Sequence, residues 1–189
     1  MKDARGREIK YLRVSVTDRC NLRCKYCMPN GIECVEHKDI LSFEEIRQIA
    51  VCGARLGITK IRLTGGEPLA RKGCPELIRM LKEIPGIEKI AMTTNGTLVR
   101  AILPELVEAG LDEINISLDT LDPGTFAAIT GQDLLPEVLL AIDAALAAGL
   151  KVKVNAVSMP DTDWKRLITL AKDKPVDVRF IELMPIGEG

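Results

Sequence analysis

Cys20, Cys24 and Cys27 stand in the spacing C-x3-C-x2-C. Three thiolates on one tight loop can hold three irons of a cubane iron–sulfur cluster, for which thiolates are the usual ligands, normally four of them. Three leave one iron open to an outside ligand, as a catalytic metal site requires. Tyr26 precedes the last cysteine and is placed to shield an edge of such a cluster or its ligand. Structural zinc is the alternative, with Cys34 or His37 as fourth ligand, although zinc sites more often pair two C-x2-C knuckles. The second motif is Thr64-Gly65-Gly66-Glu67-Pro68. Its two glycines permit a positive φ and close approach of a ligand to the backbone. Glu67-Pro68 sets the turn and leaves carbonyls free as acceptors.

Short runs rich in Ile, Val, Leu and Thr alternate with helical patterns around these motifs. Strands are expected over 11–17, 60–66, 89–95, 113–119, 151–157 and 177–184. Apolar residues at helical spacing run from Ile46 to Leu56, Leu77 to Ile84, Ile142 to Gly149 and Trp164 to Ala171. Ser42 and Glu45 form a capping box, and Pro75 and Pro136 suit first-turn positions. Gly57-Ile58, Gly86-Ile87, Gly110-Leu111 and Gly149-Leu150 read as helix stops, each followed by a strand. Pro104 is expected to break the segment after Asn95 into two short pieces. The stretch 18–41 is a long Cys-, Gly- and Pro-containing loop, and loops of that length are usually functional.

Strand, helix, strand, repeated, implies parallel pairing with right-handed crossovers, in a doubly wound sheet or a barrel-like one. Parity separates the two. Leu12, Val14, Ile61, Leu63, Ile114, Ile116, Val152 and Val154 take one face, and Arg13, Arg62, Asn115, Ser117, Lys153 and Arg179 the other. Parallel strands covered by helices on both sides should be apolar on both faces. One face therefore lines something wet or charged, and a partial barrel with helices outside fits better than a sheet with one solvated face. Arg13, Arg62, Lys153 and Arg179 converge there and repel one another unless something anionic binds. No G-x4-G-K-[ST] or G-x-G-x-x-G motif is present, so phosphate binding falls to these side chains.

Composition narrows the classes. Across 189 residues, 26 Lys and Arg balance 27 Asp and Glu, which leaves no global basic field for nucleic acid or an anionic membrane. Aromatics at 3% disfavour a stacking surface, and a single histidine disfavours triad hydrolases and His-rich zinc enzymes. The charged first ten residues show no secretory h-region, and no apolar run reaches membrane-spanning length, so a cytoplasmic location is expected. Six cysteines in such a chain read as a metal or redox feature.

Together, Cys20-x3-Cys24-x-Tyr26-Cys27 after the first strand and Gly65-Gly66-Glu67-Pro68 after the second resemble the radical S-adenosylmethionine (SAM) superfamily. Within it the chain is similar to the GTP 3′,8-cyclases of molybdenum-cofactor biosynthesis. That likeness lies in Leu12 to Pro29, Ile61 to Leu69, Thr93 to Gly96, Ile114 to Asp119, Val152 to Asn155 and Arg179 to Met184. The resemblance implies an α/β fold, a partial TIM-like (β/α)6 barrel of parallel strands with helices outside. It implies a lyase in which Cys20, Cys24 and Cys27 ligate a [4Fe-4S] cluster whose fourth iron chelates SAM. One electron then cleaves SAM to a 5′-deoxyadenosyl radical, which takes the C3′ hydrogen of GTP so that the ribose carbon closes onto C8 of the guanine.

By family position Tyr26, Gly65, Gly66, Glu67, Ser117 and Met184 fall on the SAM side. Arg13, Arg62, Thr93 and Lys153 fall on the GTP side, with Arg179 nearby. The implied partners are GTP and an electron donor such as a flavodoxin or ferredoxin, with a homodimer left open. The family also carries a C-terminal extension with three more cysteines for a second cluster. Cys34, Cys52 and Cys74 do not match it, so residues 1–189 read as one radical SAM domain without that segment. The competing readings are a radical SAM domain for another anionic substrate, and a zinc-bound module that is not an enzyme.

Overall fold

The computed structural model describes residues 2–28, 31, 35–159 and 162–183. Its six parallel strands form one sheet in chain order: β1 (Tyr11–Ser15), β2 (Lys60–Thr64), β3 (Lys89–Thr94), β4 (Glu113–Ser117), β5 (Lys151–Ser158) and β6 (Asp177–Glu182). Between them run the helices α1 (Phe43–Arg55), α2 (Cys74–Lys82), α3 (Val99–Glu108), α4 (Pro123–Thr130), α5 (Leu135–Ala147) and α6 (Trp164–Asp173). Each strand pairs with its chain neighbours, and β1 and β6 are the edges. This is the expected partial (β/α)6 barrel, left open on one side.

Local chemistry sets the element ends. Glu45 N–H donates to Ser42 Oγ at 3.2 Å while Ser42 N–H donates to the Glu45 carboxylate at 2.7 Å, the reciprocal cap of α1. Ile58, Leu111 and Leu150 each send an N–H five residues back, to Gly53, Leu106 and Ala145, closing three helices just past a glycine at positive φ. Asp122 caps α4 through Thr125 N–H at 2.8 Å, with Pro123 in the first turn. These start signals preceded a helix that the apolar periodicity did not reveal.

Pro104 does not break its segment; it lies inside a continuous α3. Its missing N–H costs one bond, to the carbonyl of exposed Arg100, where water can serve instead. Val99, Leu103 and Leu106 are buried by that helix and hold it together.

The strand faces divide as parity requires. Ile61, Leu63, Ile90, Met92, Ile114, Ile116 and Val154 are 0% exposed and pack with Leu77, Ile78, Leu81, Leu106, Ile142 and Leu167 in one continuous core. Each such side chain contributes roughly 1.5–3 kcal/mol by leaving water. On the other face the register aligns Arg13 with Arg62, Thr93 with Asn115, Asn115 with Lys153, and Asn155 with Arg179. The polar residues thus form a lumen on the side away from the helix-packed core.

Candidate active site

The cysteine loop leaves β1 and docks at once on the turn after β2. Gly66 N–H donates to Thr17 O at 2.8 Å and Glu67 N–H to Arg19 O at 2.7 Å. A Cβ on Gly66 would stand 2.3 Å from Arg19 O, and one on Gly65 2.5 Å from Thr17 O. The backbone that approaches the two glycines is therefore the cysteine loop itself, where the sequence had suggested a ligand. Further on, Arg23 and Lys25 donate N–H groups to Thr130 and Ile129, at the end of α4. The loop then turns tightly, with Cys27 and Met28 N–H both donating to Cys24 O at 2.9 Å.

Tyr26 Oη donates to Asp119 Oδ2 at 2.6 Å, and Asp119 Oδ1 accepts Val157 N–H at 2.8 Å. This bridge ties the loop to the ends of β4 and β5. Cys20 Sγ accepts N–H groups from Leu22 at 3.4 Å and from Asn95 Nδ2 at 3.8 Å. Asn95 also donates from Nδ2 to Asn21 Oδ1 at 2.9 Å, while its own Oδ1 accepts Thr97 N–H at 3.0 Å.

One cavity of about 250 Å3 gathers these groups at the carboxyl ends of the strands. Cys20, Cys24, Cys27 and Tyr26 line one side of it, Gly65 and Gly66 another. Arg13, Thr93 and Ser117 reach it from the polar strand face. That position is where α/β barrels place their chemistry. Among the sequence candidates Glu67 stands apart. It is 0% exposed, and its carboxylate accepts Leu69 N–H, Thr94 Oγ1–H and Asn95 N–H at 3.0, 2.8 and 2.7 Å. Burial pushes its pKa up, against the pull of those three donors. Glu67 braces the turn against the end of β3 with its side chain, leaving only its main chain to meet a cofactor. Met184 and Cys34 lie outside the described residues, and nothing is described of the His37 side chain.

Below the cavity the lumen is cationic. Lys60 donates to Glu113 Oε2 at 2.6 Å, with Lys153 Nζ at 3.9 Å and Arg62 at 4.0 Å from the same oxygen. Arg62 also donates to Thr93 Oγ1 at 3.2 Å. Arg179 stays exposed on β6, close enough to help depress the Lys153 pKa. The anion these cations require is thus partly internal. Lys60 escaped the sequence reading although it shares the parity of Arg62. Asn115, 3% exposed and between Glu113 and Ser117 on the same face, carries an Oδ1 with no hydrogen-bond partner among the described residues.

The family profile described as Radical SAM superfamily matches residues 14–173. The chain belongs to the radical SAM superfamily. Among curated relatives it is 50% identical over 194 residues to a GTP 3′,8-cyclase of Heliobacterium modesticaldum, covering 100% of this chain and 59% of that protein. It is also 50% identical over 193 residues to a GTP 3′,8-cyclase of Alkaliphilus oremlandii, covering 100% of this chain and 60% of the relative. The chain thus spans about three-fifths of the length of the relatives it matches. Two solved structures share its fold. Streptococcus suis SuiB bound to S-adenosylmethionine has a TM-score of 0.80 at 19% identity, over 94% of this chain and 41% of SuiB. Methylornithine synthase (PylB) has 0.75 at 19%, over 93% and 53%.

Radical SAM proteins use a [4Fe-4S] cluster and SAM, and the donor set here fits them. Cys20, Cys24 and Cys27 are free thiols on one cavity wall. Burial pushes Cys24 up to about 12, and the charges of Asp119, Cys20 and Cys27 add to the shift. Burial and then Cys20 likewise raise Cys27. Cys24 and Cys27 thus hold their protons until a metal cation draws them off. Among the described residues no three His, Cys, Asp or Glu side chains converge as ligands of a single metal ion. The family match favours the cluster over the zinc-bound module. Among the described residues no single helix is long and apolar enough to cross a membrane.

Proposed function

We infer that this chain is the radical SAM domain of a GTP 3′,8-cyclase. The observation that carries the reading is one cavity that joins the three loop thiols and Gly65-Gly66 to Arg13 and Thr93, above the lumen cations Arg62 and Lys153. Relatives at half identity that bear the name GTP 3′,8-cyclase supply the substrate.

Cys20, Cys24 and Cys27 would hold the [4Fe-4S] cluster. Bound there with SAM, it would supply the one-electron cleavage that yields a 5′-deoxyadenosyl radical, able to take the C3′ hydrogen of GTP. The chain's own residues orient and shield. Leu22 and Asn95 aim N–H groups at the Cys20 sulfur, and such hydrogen bonds tune a cluster's potential. The Tyr26–Asp119 bridge fixes the loop, and partly buried Tyr26 keeps water from one wall. Ser117 and the main chain of Gly65, Gly66 and Glu67 are the polar groups offered on the SAM side. Arg13, Arg62 and Lys153 would hold the triphosphate, the Arg forks matching phosphate oxygens and Lys153 adding a point charge. Arg179 would add to the field from β6. A flavodoxin or ferredoxin would deliver the electron.

Anaerobic reconstitution should load about four irons per chain, and dithionite with SAM should then release 5′-deoxyadenosine. With GTP deuterated at C3′, the label should appear in that 5′-deoxyadenosine. Cys24→Ala should abolish both. A Cys24→Ala chain that still cleaves SAM would overturn the cluster assignment, and SAM cleavage without label transfer would point to another substrate.

A further inference from the structure

We propose that Glu113 is a positioning residue that stands in for a ligand's phosphates in the free protein, so that a ligand must carry several negative charges to displace it. The proposal rests on the polyanion reading of the lumen. Glu113 is 4% exposed at the start of β4 and faces cations from every neighbouring strand. Lys60 and Arg62 come from β2, Lys89 from β3 and Lys153 from β5. Lys151 is its register partner on β5, Arg13 on β1 is aligned with Arg62, and Arg179 on β6 acts on Lys153. Among the described residues Lys60, Arg62, Lys89 and Lys153 form ion pairs with no acid other than Glu113.

One carboxylate among four cations leaves the group short of neutrality by three charges. Arg62 and Lys153 are largely buried, so the excess around them is costly, and a polyphosphate relieves it. Three of the cations lean on the same Oε2, so the carboxylate gathers them on one point before any ligand comes. Arg62 is steadied by Thr93, whereas Lys60, a quarter exposed, is free to swing from Glu113 to an incoming oxygen. A ligand with one negative charge gains little by competing with a carboxylate already seated at 2.6 Å; a triphosphate offers several oxygens at once. Glu113 also supports the charge of Lys153, whose pKa burial and then Arg179 pull down while Glu113 pulls it up.

The test is calorimetric titration of inorganic triphosphate and, separately, of guanosine into the chain and into Glu113→Gln. The variant should bind triphosphate roughly tenfold more tightly, as expected when one competing charge a few ångströms away is removed. Its affinity should fall more steeply with salt, and guanosine binding should not change. As pH rises, triphosphate binding should fail earlier in the variant than in the parent, because Lys153 loses the neighbour that kept it protonated. A merely structural role would leave salt slope and alkaline limb unmoved. Its free form should melt at a lower temperature. Should Glu113→Gln fail to fold, Glu113→Asp keeps the charge, withdraws it by one methylene, and should show a smaller gain. A folded variant that binds triphosphate equally or more weakly overturns the proposal alone. A parent chain that ignores triphosphate overturns the polyanion reading, and the proposal with it.

Discussion

A methyl group on Gly66 would lie 2.3 Å from the Arg19 carbonyl oxygen and 2.7 Å from that of Asp18. Both are backbone atoms of the loop that carries the cysteines, so neither can move without moving the thiols. Gly66→Ala should cost about 3 kcal/mol or more, the upper end of overpacking, and should also lower iron loading. Gly53→Ala is the internal comparison. Its Cβ would meet Ile58 Cγ1 at an ordinary 3.4 Å within α1, where alanine is worth up to about 1 kcal/mol over glycine. Urea midpoints and iron content after anaerobic reconstitution measure both; equal stability of the two variants would refute the close-approach account. The contrast also marks what was legible in the sequence. Two glycines beside a Glu-Pro announce a tight approach, but not what approaches. Glu67 shows the same limit: its three donors lie at Leu69, Thr94 and Asn95, two of them a strand away, and no local pattern assigns a carboxylate to bracing. For Glu113 too no local pattern names its partners, since its four cationic neighbours come from three different strands.

Strands were easier to read than helices because a strand's faces alternate every residue, and one of the two faces here is charged. The parity of Arg62, Ser117 and Lys153, taken with the crossovers that the strand–helix alternation implies, located the lumen. Helices depended on apolar periodicity, and α4 has little of it: Phe126, Ile129 and Thr130 are its buried residues, and its evidence is the Asp122-Pro123 start. In α3 the periodicity was present, but Pro104 weighed too heavily. A proline at the sixth position of a ten-residue helix removes the single bond to Arg100 O and leaves the buried stripe intact. Pro104→Ala restores that N–H and relieves the ring's clash with the preceding turn. Against this, the unfolded chain regains the freedom proline denied it, worth about 0.4–1 kcal/mol. The helix-interior penalty of proline is the larger, about 3 kcal/mol when unrelieved. The net expectation is a gain of about 1 kcal/mol, read as a higher urea midpoint at unchanged slope. A loss of stability on substitution would mean that α3 is shaped around its proline.

Across the whole molecule burial is uneven, and the unevenness follows the sheet. Every residue of β4 from Glu113 to Ile116 is buried, whereas in β6 Val178 alone is even half-buried and α6 buries only Leu167 and Leu170. Local opening free energy tracks buried apolar contact, so stability should fall from the centre of the sheet toward the β6 edge. The lumen cations give that gradient a functional meaning. Arg13 sits on one edge strand and Arg179 on the other, both exposed, while Arg62 and Lys153 lie buried between them. An anion spanning these positions would tie the loosely held edges to the rigid centre, because a ligand that binds the folded form alone stabilises whatever must be folded to hold it. Amide hydrogen exchange on the free chain should therefore show β6 and α6 exchanging well before β2, β3 and β4. Saturating inorganic triphosphate, at about 100 times its dissociation constant, adds about 2.7 kcal/mol to every opening that releases it. The slowing should appear at β6 and at β1, and disappear in Arg179→Met at β6 only. Uniform protection across all six strands would contradict the gradient, and slowing confined to the central strands would mean that the edges take no part in holding the anion.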